Sequence, residues 1–138
     1  MNDLGLTHIA LPVRDLQRSL DFYATYAAMD VVHRRIRDDG VHGIAWISDR
    51  TRPFVIVLME TGEEVAPLAA PAHLGVACAN RLEVDRLCDV AREEGLLMRE
   101  PSQSDPPVGY WATIRDPDGH VLELTFGQQV GLTVEEEA

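Results

Sequence analysis

Two alternations organise the start of the chain. Leu6, His8, Ala10 and Pro12 alternate with Thr7, Ile9 and Leu11, the period of two expected of a short strand. From Leu16 to Ala28 the apolar positions Leu16, Leu20, Phe22, Tyr23, Tyr26 and Ala27 return at helical spacing, with Asp15 placed to cap the first turn. Three runs rich in β-branched and aromatic residues follow: Val31 to Ile36, Val41 to Ser48 and Pro53 to Met59. Asp38-Asp39-Gly40 and Asp49-Arg50-Thr51-Arg52 separate them. The predicted order is β, α, β, β, β.

A loop-like stretch from Thr61 to Ala72 comes next, and the same order then begins again. His73 to Cys78 reads as a strand and Arg81 to Glu94 as an amphipathic helix stopped by Gly95. Leu96 to Arg99, Tyr110 to Ile114 and Val121 to Phe126 read as three further strands, the last two joined by the turn Asp116-Pro117-Asp118-Gly119. The chain therefore predicts an α+β fold of two tandem βαβββ modules, 4–62 and 71–127, in a single domain spanning 1–130. The acidic tail, 131–138, is expected to be frayed and solvated.

Composition narrows the class. With 138 residues, 46% hydrophobic and 25% charged, the chain is long enough for a real core and has globular proportions. The net charge is −11 and every basic residue is arginine, so nucleic acid is an unsuitable partner. Arg34, Arg35 and Arg37 form the densest basic cluster, but Asp38 and Asp39 follow at once, and a solvated strand end is expected. No apolar run is long enough to span a membrane and the N-terminus lacks the pattern of an export signal, so a cytoplasmic location is expected. Cys78 and Cys88 form neither a disulfide framework nor a thiolate metal motif and read as small buried hydrophobes.

Duplication places residues in equivalent positions of the two modules. His8-Ile9-Ala10 opens the first and His73-Leu74-Gly75 the second; Phe54 to Leu58 closes the first and His120 to Leu124 the second. Glu123 lies between Leu122 and Leu124 in a run expected to be covered, where an unpaired carboxylate is costly. Two imidazoles and this carboxylate converging on one divalent cation would satisfy all three, which nominates His8, His73 and Glu123 as metal ligands. No local spacing ties these residues together, and a lone strand histidine is more often a rim or core residue; the repeat is what raises the metal reading.

The segments Leu6-Thr7-His8-Ile9-Ala10-Leu11-Pro12-Val13-Arg14-Asp15-Leu16, Ser19-Leu20-Asp21-Phe22-Tyr23, Ala72-His73-Leu74-Gly75-Val76 and Arg115 to Leu124 together resemble the vicinal oxygen chelate superfamily. That superfamily includes glyoxalase I, bleomycin resistance proteins, extradiol dioxygenases and fosfomycin-resistance proteins. The resemblance implies a curved mixed sheet around a metal site, with ligands at positions matching His8, Val57, His73 and Glu123. Valine cannot bind metal, so Val57 belongs to the substrate pocket, and Glu60, three residues on, should point to the opposite face.

Two histidines and one carboxylate resemble the facial triad of extradiol dioxygenases, favouring Fe2+ over Mn2+, Zn2+ or Ni2+ and a small molecule with vicinal oxygens as substrate. The alternatives are a glyoxalase-like lyase or isomerase and a bleomycin-resistance-type protein that sequesters its ligand without catalysis. Ring-cleaving relatives carry a tyrosine at the position of Thr113 and a further histidine upstream of the Asp-Pro turn; neither occurs here. Fosfomycin-type relatives also carry that tyrosine, with lysines that this chain lacks. His42 and Thr113 are the candidate catalytic side chains, and Trp46, Tyr110 and Trp111 join Val57 as candidate pocket walls. At least one of the two tryptophans is expected to pack against a helix. His120 is expected to face solvent, and Pro106 to Gly109 is a candidate lid. The resemblance also implies a homodimer, with the metal site formed within one chain or across two.

Overall fold

A computed structural model describes residues 2–136. The chain divides into two compact units, 1–66 and 67–138. The first holds β1 (His8–Val13), α1 (Leu16–Ala27), β2 (Asp30–Ile36), β3 (Gly43–Ser48) and β4 (Val55–Glu60). The second holds β5 (Leu74–Ala77), α2 (Arg81–Glu93), β6 (Leu97–Ser104), β7 (Gly109–Arg115), β8 (Val121–Phe126) and a short α3 (Val130–Glu136). Each unit forms its own four-stranded mixed sheet, ordered β1-β4-β3-β2 and β5-β8-β7-β6. In each, the opening strand lies parallel to the closing one and the remaining pairs are antiparallel. The expected α+β architecture of two βαβββ modules is thus observed, with one sheet per module.

Each helix covers one face of its own sheet. Asp15 caps α1 by accepting from Arg18 N. Leu16, Leu20, Tyr23 and Tyr26 are buried with Leu11, Val13, Ala45, Ile47, Ile56 and Leu58 from the strands. Gly43 lets the two layers meet: a Cβ there would stand 2.8 Å from Leu16 Cδ2. In the second unit Asn80 caps α2 by accepting from Glu83 N, and Gly95 ends it at φ 74°. Val84, Leu87, Cys88 and Ala91 are buried with Ala112, Ile114, Leu122 and Leu124. Completely buried side chains such as Leu58 and Leu124 each contribute about 1.5–3 kcal/mol through burial.

The strand β6 runs to Ser104, well past the expected end at Arg99, because its irregular register against β7 accommodates Pro101 on a sheet edge. Beyond Gly127 the chain forms α3 instead of a frayed tail, begun where Gln129 N donates to Pro107 O and supported by Thr133 Oγ1 donating to Gln129 O. The same bond anchors the expected lid: Asp105 to Val108 is the turn joining β6 and β7, closed by Val108 N on Asp105 O. Glu137 and Ala138 lie outside the described residues. Strand β2 is exposed along its whole length, as anticipated for Arg34 and Arg35, whereas Arg37 just beyond it is half-buried and donates to the Glu60 carbonyl at 2.8 Å. Cys88 is buried and Cys78 half-buried.

Candidate metal centre

Parallel pairing of β5 with β8 sets the centre of the second unit. Glu123 pairs with Gly75, and His73 stands just before β5. A short apolar strand cannot supply a hydrogen-bond donor from its own leucines, and Glu123, only 9% exposed, lies on the sheet face away from α2. Burial pushes its carboxyl pKa up, and the nearby His73 opposes this in part.

The two side chains approach without touching: His73 Nε2 lies 3.9 Å from Glu123 Oε1, too far for a hydrogen bond. His73 Nδ1 donates to the Pro71 carbonyl at 2.8 Å, an acceptor only, so the Nε2 lone pair of the neutral ring is turned toward the carboxylate. Metal bonds to imidazole nitrogen and carboxylate oxygen are each about 2.0–2.2 Å, so a gap just under their sum admits one cation between them. Gly75 lies directly beside the carboxylate: a Cβ there would stand 3.6 Å from Oε2, an ordinary contact distance. Among the described residues no hydrogen-bond donor reaches the Glu123 carboxylate. The donor set fits a divalent metal.

The face bearing Glu123 also carries Thr113, its partner on β7, and Trp111, paired with Thr125. The Trp111 indole donates to Ser104 Oγ at 2.9 Å, and the Arg99 guanidinium lies 4.2 Å above its ring. Tyr110 departs from expectation. One residue out of phase with Trp111, it faces α2, where its hydroxyl donates to Asp85 and Arg81 stacks on its ring at 4.1 Å. The Asp85 hydrogen bond raises the Tyr110 pKa. Tyr110 is therefore a fastener between helix and sheet and does not line the Glu123 face.

In the first unit, His8 begins β1 opposite Val55, is exposed, and has its Nδ1 2.9 Å from the Thr7 hydroxyl. Val57, the counterpart of Glu123, pairs with Ala10 and with Trp46 on the sheet face away from α1. Trp46 contacts the His33 ring at 4.9 Å between centroids. Both tryptophans lie on the sheet face away from α1 or α2 of their own module, contrary to expectation, because both share the phase of the Val57 or Glu123 position. Glu60 takes the opposite phase, as expected. Its Oε2 accepts from Leu16 N at 2.8 Å and its Oε1 from Gly43 N at 3.0 Å, so the carboxylate closes the N-terminus of α1 onto the sheet.

His42 lies in the β2–β3 turn, where its ring and backbone N–H bind Asp39. Backbone hydrogen bonds from His42 and Val41, followed by the His42 ring, hold the Asp39 carboxyl well below the usual range. The ring also sits against Gly62, beyond the C-terminal end of β4. His8 pairs at the other end of that strand, about 16 Å away at strand rise. Within this unit the two histidines do not converge.

His120 corrects another expectation: it is 1% exposed. Its Nδ1 accepts from Leu68 N at 2.7 Å, and its backbone N–H donates to Asp116 Oδ1. Asp116, Asp118 and His120 do bring potential ligand atoms within 4.8 Å of one another. With Nδ1 occupied as an acceptor, however, the neutral ring carries its proton on Nε2 and has no lone pair left for a metal. This cluster fastens the Asp116–Gly119 turn to the segment at Leu68. Sequence reasoning missed both this role and the placement of Arg99, and neither has a local signal.

Comparison with known proteins agrees with this architecture. The glyoxalase/bleomycin resistance protein/dioxygenase superfamily model matches residues 5–124. An uncharacterised protein of Pseudomonas aeruginosa is 36% identical over 130 residues, covering 91% of each chain. The lactoylglutathione lyase of Neisseria meningitidis serogroup A is 29% identical over 126 residues, covering 88% of this chain and 89% of its own. The solved trypanothione-dependent glyoxalase I of Leishmania major superposes with a TM-score of 0.71 at 19% identity, covering 98% of this chain and 95% of that one. With the repeated βαβββ modules and the histidine-carboxylate pair in place, the chain belongs to the glyoxalase/bleomycin resistance protein/dioxygenase superfamily.

Proposed function

We propose that the protein is a divalent-metal-dependent enzyme that binds a small molecule through adjacent oxygens, with His8, His73 and Glu123 as its metal ligands. The observation that carries this reading is the His73–Glu123 pair: a largely buried carboxylate, which no hydrogen-bond donor among the described residues reaches, lies 3.9 Å from an imidazole nitrogen whose tautomer is set by Pro71. His8 is the proposed third donor, because it opens the first module as His73 opens the second. A bound divalent cation would supply Lewis acidity to vicinal oxygens and orient them. On the protein side, Pro71 holds the His73 ring, the leucines flanking Glu123 exclude water from the α2 side of β8, and Thr113 and Trp111 present one hydroxyl and one aromatic surface beside the carboxylate. The homodimer is part of this proposal: Leu4 and Leu6 at 89% exposure, with Val130, Leu132 and Val134 on α3, offer apolar surface to a second copy.

Two chemistries fit this scaffold. Two histidines and one carboxylate, with valine at position 57, support a dioxygenase-like reaction on iron(II). The glyoxalase-like lyase or isomerase reading is supported by the name of the Neisseria relative. Elemental mass spectrometry of protein purified without chelators tests the common core. Roughly one divalent metal per chain is expected, lost in His73→Ala and Glu123→Gln. Iron together with oxygen uptake on a catechol would select the dioxygenase; zinc, nickel or manganese with turnover of a thiohemiacetal would select the lyase. Failure to retain any of these metals after reconstitution would overturn the enzyme reading and leave a ligand-sequestering protein.

A further inference from the structure

The strand β6 contains an irregularity that changes what its side chains can do. Leu97 pairs with Ile114, but Arg99 pairs with Thr113, so Leu97 and Arg99 are two residues apart while their partners are adjacent. Met98 is the extra residue of a β-bulge. Without it, the period of two would return Arg99 to the face of Leu97 and Ile114, against α2; with it, Arg99 emerges on the opposite face. The contact with Trp111 verifies this placement. Gly75, Glu123, Thr113 and Arg99 then form one row across β5, β8, β7 and β6. Arg99 stands two strand spacings, about 10 Å, from Glu123.

The electrostatics make this placement informative. The chain carries 23 acidic residues against 12 basic ones. The arginines of α2 are engaged: Arg92 binds Glu100 and Asp89, Arg86 binds Glu83, and Arg81 stacks on Tyr110. Arg99 makes no ion pair among the described residues. Its guanidinium is steadied by stacking on an indole that is itself pinned by Ser104, which leaves its N–H fork available at low conformational cost.

We propose that Arg99 is a substrate-positioning residue that binds an anionic oxygen group, in the simplest case a carboxylate, on the molecule whose vicinal oxygens lie at His73 and Glu123. This inference rests on the metal-centre reading and adds the substrate class: a vicinal-oxygen compound with a remote anionic group. A planar guanidinium fork matches a carboxylate in two parallel hydrogen bonds, and the Trp111 face beside it suits the carbon skeleton between the two ends.

The test compares 2-oxoglutarate with 2-oxopentanoate on the full-length zinc-loaded protein. The two probes share one chelating end and differ in the remote carboxylate. Titration calorimetry measures affinity, and fluorescence in a Trp46→Phe background reports on Trp111 alone. The wild type is expected to prefer 2-oxoglutarate by about tenfold or more, the scale of one charge-assisted contact. Arg99→Gln should abolish the preference and the Trp111 response while leaving the 2-oxopentanoate affinity, the metal content and the melting temperature unchanged. Equal affinities in the wild type, a preference that survives in Arg99→Gln, or metal uptake without 2-oxoglutarate binding would each overturn the role of Arg99 and leave the metal centre standing. No metal uptake by the wild type would overturn the metal-centre reading itself, and this inference with it.

Discussion

Glu60 separates architecture from chemistry, and its replacement gives a worked magnitude. Its carboxylate accepts two backbone N–H groups, Leu16 N at 2.8 Å and Gly43 N at 3.0 Å, from segments that lie 44 and 17 residues away in sequence. Each hydrogen bond to a charged group contributes about 1.5–3 kcal/mol, and the helix N-terminus adds a favourable field. Both sites are partly buried, so water compensates for part of the loss, and Glu60→Ala is expected to cost about 2–4 kcal/mol. For a chain of this size that corresponds to a fall in Tm of roughly 6–16 °C. Glu60→Gln keeps one acceptor and should recover about half of the loss. Urea and thermal unfolding measure the cost, and elemental analysis of the same samples measures the metal. Stability should fall while metal content per folded chain stays unchanged. A loss below about 0.5 kcal/mol, or loss of metal from a still-folded Glu60→Gln protein, would refute the assignment of Glu60 as a clasp between helix and sheet.

Burial raises the folded-state pKa of Glu123, so the folded metal-free chain binds its proton more tightly than the unfolded one. Stability of the metal-free protein should therefore decline as pH rises from the ordinary carboxylate range through the raised value, and Glu123→Gln should flatten that slope in urea unfolding across pH. His120→Ala leaves the partly buried Leu68 N–H without its acceptor and should destabilise by about 1–3 kcal/mol in the same assay, with metal content per folded chain unchanged. Burial pushes the thiols of Cys78 and Cys88 up to about 11, so the folded protein at neutral pH should react slowly with a disulfide reagent and much faster once unfolded in urea.

Much of the architecture follows from short-range pattern. Helical spacing after Asp15 and Asn80 predicts α1 and α2 nearly to their ends, because capping and amphipathicity act within a few residues. The repeated order of elements predicts two equivalent modules, and it singles out Glu123 and His73, which the structure brings to 3.9 Å. Alternation also places Glu60 opposite Val57 from sequence alone, since the period of two is a property of the strand itself.

What only the tertiary structure decided depends on partners distant in the chain. His120 is buried because Leu68, 52 residues earlier, needs an acceptor, and no pattern around His120 announces that bond. Tyr110 belongs to α2 because Asp85 and Arg81 await it there, a choice fixed by which face of β7 the helix covers. Arg99 reaches the Glu123 row through one extra residue in β6, and a bulge exists only relative to the strand against which it is counted. Periodicity along a chain says which side chains share a face; which face meets the helix, and where the register slips, is settled by pairing between segments that the sequence keeps apart.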